Sequence, residues 1–144
     1  MADADENSPG RWTFVANPDS DVDISAFEAA MRAAPHMQQP GRTPGAIHVE
    51  GNPLIQYLSD RPYALRAHGW AAEQFDDRLW KWTRDGLREK RPVYLFVDQF
   101  SVDAMKKNST ATLALIDSMY CRVTRIADGT WYALRGSPEC LDGT

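Results

Sequence analysis

Residues 91–99 read RPVYLFVDQ, and five in succession, Val93, Tyr94, Leu95, Phe96 and Val97, are apolar without alternation. A strand with one face in water alternates apolar and polar side chains, whereas an unbroken β-branched and aromatic run belongs to a strand covered on both faces. The segment is therefore predicted as the central strand of a sheet, with helices above and below it. A chain of 144 residues is long enough for one such domain.

The flanking sequence supplies the other elements. AIHVEG reads as a strand, and NPLIQYLS as a helix with Asn52 as its cap and Pro53 in the first turn, where a missing N–H costs nothing. PYALRAHG is a second strand, closed by Gly69. From Glu73 to Lys90 the pattern is helical, with Phe75, Leu79, Trp82 and Gly86 as the inward stripe. Residues 101–119 form a second crossover, whose helix is expected to begin at Asn108 or Ser109. Asp128-Gly129 signals a hairpin, and a two-residue loop there would set Ile126 opposite Trp131 and Val123 opposite Leu134. Upstream, DISAFEAAMRAA is a helix presenting Ile24, Phe27 and Met31, ended by Pro35.

Alternating strands and helices followed by a hairpin predict a Rossmann-like α/β fold. It is a three-layer sandwich with a mostly parallel sheet and a C-terminal β-hairpin. The expected organisation is an acidic, disordered tail over residues 1–22, one α/β domain over 23–137 and a C-terminal tail over 138–144. No internal repeat is present.

Charge narrows the function. Six acids and one base fall in residues 1–24, leaving fourteen acids and fifteen bases for the rest. With no basic stripe, no nucleic-acid partner is expected. No apolar run approaches the ~18 residues of a membrane span, and the acidic start lacks the apolar core of a signal peptide, so the chain reads as soluble. Cys121 and Cys140 have no metal spacing and are expected as two buried or idle thiols, with a disulfide as the alternative if the tail folds back.

In open parallel sheets ligands gather beyond the carboxyl ends of the strands. That rule selects Glu50 and Asn52 after the first strand, His68 after the second and Asp98 after the third as ligand-binding candidates. Converging carboxylates and an imidazole could bind a ligand or move a proton. The same residues also have ordinary structural uses, because strand-end acids and amides accept bonds from the free N–H groups of the next helix. His48 is expected to be a packing histidine. Trp80 and Trp82 stand two apart on one helix and cannot both face the core, so one is an interaction candidate. No phosphate-binding glycine motif, nucleophile elbow or zinc-binding HExxH is present, and no catalytic residue or cofactor is assigned.

Two family resemblances rest on these phrases. HVEG and YLFVDQF are similar in order and position to the Toprim domains of primases and topoisomerases, whose strand-end glutamate and DxD bind magnesium. The resemblance would make Glu50 and Asp98 ligands with His68 in support, in a small metal-dependent enzyme of phosphoryl transfer, although Phe100 stands where the second acid of the DxD belongs. NPLIQYLSDRPY, RPVYLFVD and the hairpin ending WYALRG, spanning roughly residues 44–136, resemble the soluble C-terminal domain of C-type membrane glycosyltransferases, which use polyprenyl-phosphate sugars. That resemblance implies a non-catalytic accessory or binding domain on the extracytoplasmic side of a membrane, partnered by a membrane-embedded transferase region or another protein. The family's catalytic acid lies in a membrane-associated loop outside this chain, so no catalytic residue carries over. A third expectation is a protein-interaction module built on the tryptophan-bearing helix.

Overall fold

The computed structural model describes residues 24–66, Gly69 and residues 76–140. In chain order they form helix α1 (Ile24–Ala33), a 3-10 turn (Ala34–Gln38), strand β1 (Ile47–Glu50) and helix α2 (Pro53–Leu58). Helix α3 (Asp77–Lys90), strand β2 (Tyr94–Asp98), helices α4 (Gln99–Asn108) and α5 (Thr110–Met119), strands β3 (Tyr120–Ile126) and β4 (Gly129–Leu134), and a 3-10 turn at Pro138–Cys140 follow. Mixed α/β architecture is thus present. The expected tail over residues 1–22 lies outside the described residues.

The sheet runs in the order β1-β2-β4-β3. β1 pairs parallel with β2, placing Val49 beside Phe96 and Glu50 beside Val97. β4 pairs antiparallel with both β2 and β3. The unbroken apolar run is central as expected, but the expectation of a mostly parallel sheet is corrected. Two of the three ladders among these strands are antiparallel, because the second edge of β2 takes the returning arm of the hairpin. Gly129 helps β4 lie there: a Cβ on it would fall 2.4 Å from Phe96 Cζ and 2.8 Å from the Val97 carbonyl oxygen. Beside β1, Tyr63 and Gly69 make isolated parallel bridges to Ile47 and Glu50, where a longer strand was expected.

Each face of the sheet carries its own core. Ile47, Val49, Tyr94, Phe96 and Trp131 pack with Ala30 and Ala33 of α1 and Ile55 of α2. Leu95, Val97 and Tyr132 pack with Trp80 and Leu87 of α3, Met105 of α4 and Ile116 of α5. The alternation along β2 assigns its residues to the two cores in turn, as the pleat requires.

Several local expectations are corrected. The inward side of α1 presents Ala30 and Ala33 while Met31 is 54% exposed. Small side chains let the helix end lie close enough for Trp131 Nε1 to donate to the Ala33 carbonyl at 2.9 Å. On α3 the buried residues are Trp80, Thr83, Arg84 and Leu87, whereas Trp82 is exposed. Two of the four are polar, and Arg84 turns into a polar network with Asp77, Ser109 and Thr112, which apolar periodicity cannot register. Phe75 lies outside the described residues. The second crossover is two helices, since the Asp98 side chain starts α4 immediately after β2. The hairpin turns at Ala127-Asp128, and a register shift between Arg122 and Thr124 puts Thr124 opposite Trp131 and Tyr120 opposite Leu134. Ala127 holds the positive φ of 56° that the turn demands.

Cys121 and Cys140 form a disulfide with Cα atoms 6.0 Å apart, correcting the expectation of separate thiols. Their residues meet because the chain reverses after β4 and lays its last turn beside β3. Residues 138–140, expected in a tail, are tied to the body by this bond.

Candidate functional site

The carboxyl ends of β1 and β2 lie side by side because the strands are parallel and in register. At the end of β1, Glu50 is completely buried. His48, two residues earlier and so on the same face, puts Nε2 2.7 Å from Glu50 Oε2. The carboxylate lies against Gly69, where a Cβ would come within 1.9 Å of Oε2. Gly69 is fixed there by two backbone bonds: its N–H donates to the Val49 carbonyl at 3.1 Å, and its carbonyl accepts from the Gly51 N–H at 2.8 Å.

At the end of β2, Asp98 Oδ1 accepts from the Ser101 backbone N–H at 2.8 Å and caps α4. The other carboxylate oxygen crowds Gly51, whose φ is +149° and where a Cβ would lie 2.4 Å from Asp98 Oδ2. Ser101 Oγ donates to the Glu50 carbonyl at 3.1 Å and so ties the two strand ends together. Gln99 donates its N–H to the Asp128 carbonyl at 2.8 Å, which brings the hairpin turn to the same rim. Burial raises the Asp98 pKa above the ordinary aspartate value. The Ser101 bonds oppose the shift, and Asp128 and Glu50 add to it through like charge.

The rim therefore gathers Glu50 and Asp98 from the sequence-derived set. Asn52 stands next to it but spends Oδ1 on the Leu54 N–H at 3.0 Å as the cap of α2. His68 lies outside the described residues. Trp80 is buried in the core and is thereby removed as a contact surface, while Trp82 is 75% exposed on the same helix. Sequence reasoning missed His48 as the partner of Glu50, although the H-x-E spacing within a strand puts both side chains on one face. It also missed Asp128, whose arrival at the rim depends on the hairpin's docking. Among the described residues, no three His, Cys, Asp or Glu side chains group as a metal site.

Two further polar clusters lie away from this rim. Arg84 holds Asp77 with two bonds, of 2.6 and 3.1 Å, and donates to Ser109 Oγ and Thr112 Oγ1, which pins α3 to α5. Near the opposite end of β2, the Tyr94 hydroxyl accepts from the Thr43 N–H at 2.8 Å and donates to the Glu139 carboxylate. Arg42 Nη1 lies 3.3 Å from the same carboxylate, and its Nη2 lies 3.2 Å from His36 Nδ1. Burial holds the His36 imidazole below its ordinary pKa; Arg42 acts in the same sense and Glu139 against it. For Glu139 burial acts upward, but the bonds from Tyr94, the backbone and Arg42 outweigh it and leave the carboxyl below its ordinary value.

No family model, curated protein or solved structure matches the chain.

Proposed function

We propose that this chain works as a non-catalytic accessory or binding domain similar to the soluble domain of C-type membrane glycosyltransferases. It would dock on a membrane-embedded transferase region through its outer helical surface. The observation that carries the reading is how the strand-end side chains are used. Asn52 and Asp98 cap helices and Glu50 is closed in against His48 and Gly69, while Trp82 projects from α3. An exposed indole is a common anchor of protein interfaces. The Cys121–Cys140 disulfide suits an oxidising compartment, as the extracytoplasmic side of a membrane is. Among the described residues no helix is long and apolar enough to cross a membrane, so the span would belong to the partner region. In the finer fold reading, the isolated parallel bridges at Tyr63 and Gly69 support a three-layer, Rossmann-like sandwich.

The sequence encoded immediately upstream in the gene tests the proposal. Several hydrophobic spans in the same reading frame, with an acidic loop between them, are expected; an in-frame stop codon directly before Met1 overturns it. Trp82→Ala should then weaken association with the membrane region while Asp98→Asn leaves it intact.

The Toprim-like alternative gains from the convergence of Glu50 and Asp98, but the donor set does not fit a magnesium site. Glu50 is buried against His48, and Phe100 takes the place of the second DxD acid. Under the accessory-domain reading millimolar magnesium leaves Tm unchanged. A concentration-dependent rise in Tm, lost in Asp98→Asn, would favour the alternative.

A further inference from the structure

The geometry points to the C-terminal 3-10 turn as a redox-gated clasp, in which the Cys121–Cys140 disulfide holds Glu139 in the Arg42–Tyr94 pocket and reduction lets the turn swing free. The turn at Pro138–Cys140 contains no buried residue. Its backbone is held by Cys140 N–H to the Ser137 carbonyl at 3.0 Å, after Ser137 N–H to the Leu134 carbonyl at 3.0 Å. Both bonds span three residues, and the second reaches only the end of β4. Among the described residues the turn is attached to more distant parts of the molecule by the disulfide, by the Glu139 carboxylate, by sulfur contacts and by the packing of Cys140 against the first core. That carboxylate is imperfectly received, since Oε1 is buried with no hydrogen-bond partner. The same pocket leaves a second buried polar atom unmatched, His36 Nε2.

By contrast, the pocket's donors are placed without the turn. The Thr43 N–H orients the Tyr94 hydroxyl, the His36 carbonyl accepts from Arg42 Nε at 2.9 Å, and Gln39 Oε1 accepts from Arg42 Nη2 at 2.8 Å. Opening the clasp therefore removes a carboxylate from a pair of donors that stay in position. A thiol of low molecular weight or a protein dithiol supplies the two electrons. Its thiolate attacks Cys140 Sγ, on the less buried of the two cysteines, forming a mixed disulfide and releasing Cys121 as thiolate. A second thiol then displaces Cys140 and leaves as the oxidised disulfide. Both chain sulfurs end as thiols. The inference does not depend on the accessory-domain reading.

The test is a comparison of amide NMR spectra and backbone dynamics of the full chain, oxidised and after reduction with a phosphine. On reduction, Glu139 and Cys140 should gain fast backbone motion and Arg42, Thr43 and Tyr94 should shift, while Phe96 and Val97 keep their native positions. A C121S/C140S variant should reproduce the reduced spectrum without reductant. If Glu139 and Cys140 remain rigid in the reduced protein, the clasp does not open and the inference fails. If reduction instead collapses the whole spectrum, the bond is a staple of the entire fold and the inference fails equally. Should the double variant not fold, native-state reduction followed by alkylation of both thiols gives the same reading.

Discussion

Asp98 has two physical roles with opposite signs. Its carboxylate caps α4, which stabilises, and its burial near Glu50 and Asp128 raises its pKa, which makes the ionised form costly. An acid whose folded pKa lies above its unfolded value adds stability below the unfolded value, and that contribution disappears as pH rises through the folded one. Asp98→Asn keeps a capping oxygen and removes the charge. Relative to this variant, the native protein should lose stability from about pH 4 upward, measured as Tm across an acid-to-neutral series. Asp98→Ala loses the cap as well and should cost about 1 kcal/mol against Asp98→Asn at neutral pH. Gly69 is constrained in another way: a methyl group there would meet the Glu50 carboxylate at 1.9 Å. Gly69→Ala should destabilise by about 1–3 kcal/mol in urea unfolding, the usual cost of overfilling a packed site. A neutral result would mean that Glu50 and Gly69 are not in contact.

Helix α3 shows how an element's two sides divide its tryptophans. Trp80→Ala should cost about 3–5 kcal/mol and Trp82→Ala less than about 0.5 kcal/mol in the isolated chain, by chemical denaturation. Trp80→Phe should cost clearly less than Trp80→Ala, since a phenyl ring refills most of the cavity, while both variants remove the buried indole N–H that has no partner. Equal losses at 80 and 82 would reverse the assignment of faces. Arg84 explains why the apolar pattern misled. Its guanidinium is turned inward to Asp77, Ser109 and Thr112, so the helix rotates to bury a cation and a threonine beside Trp80 and Leu87. Caps were legible from sequence because their partners are two or three residues away: Asn52 and Asp98 cap the helices that follow them. Faces were less so, because they depend on what another element brings.

The described residues form one four-stranded sheet with a core on each face. Ile55 lies in one and Ile116 in the other. Ile55→Val and Ile116→Val should each cost about 0.5–1.5 kcal/mol, and the double variant should equal their sum within about 0.5 kcal/mol in equilibrium unfolding, because the sheet stands between them. A larger coupling would show that the two cores communicate through the strands. The clasp, the strand-end rim and the Arg84 network attach at different places on this frame. The rim closes the carboxyl ends of β1 and β2, while the Glu139 pocket sits at the other end of β2.

By itself the sequence determined what depends on neighbours along the chain: the buried central strand at Tyr94–Asp98, the strand-to-helix junction at Gly51-Asn52-Pro53, the hairpin and the helix caps. Periodicity, proline and glycine geometry and capping chemistry act over a few residues and are written locally. Tertiary structure alone decided that β4 lies between β2 and β3, that Arg84 faces inward and that Cys121 meets Cys140. Each of these joins groups on elements whose separation in space is set by packing. No spacing of residues along the chain encodes that distance.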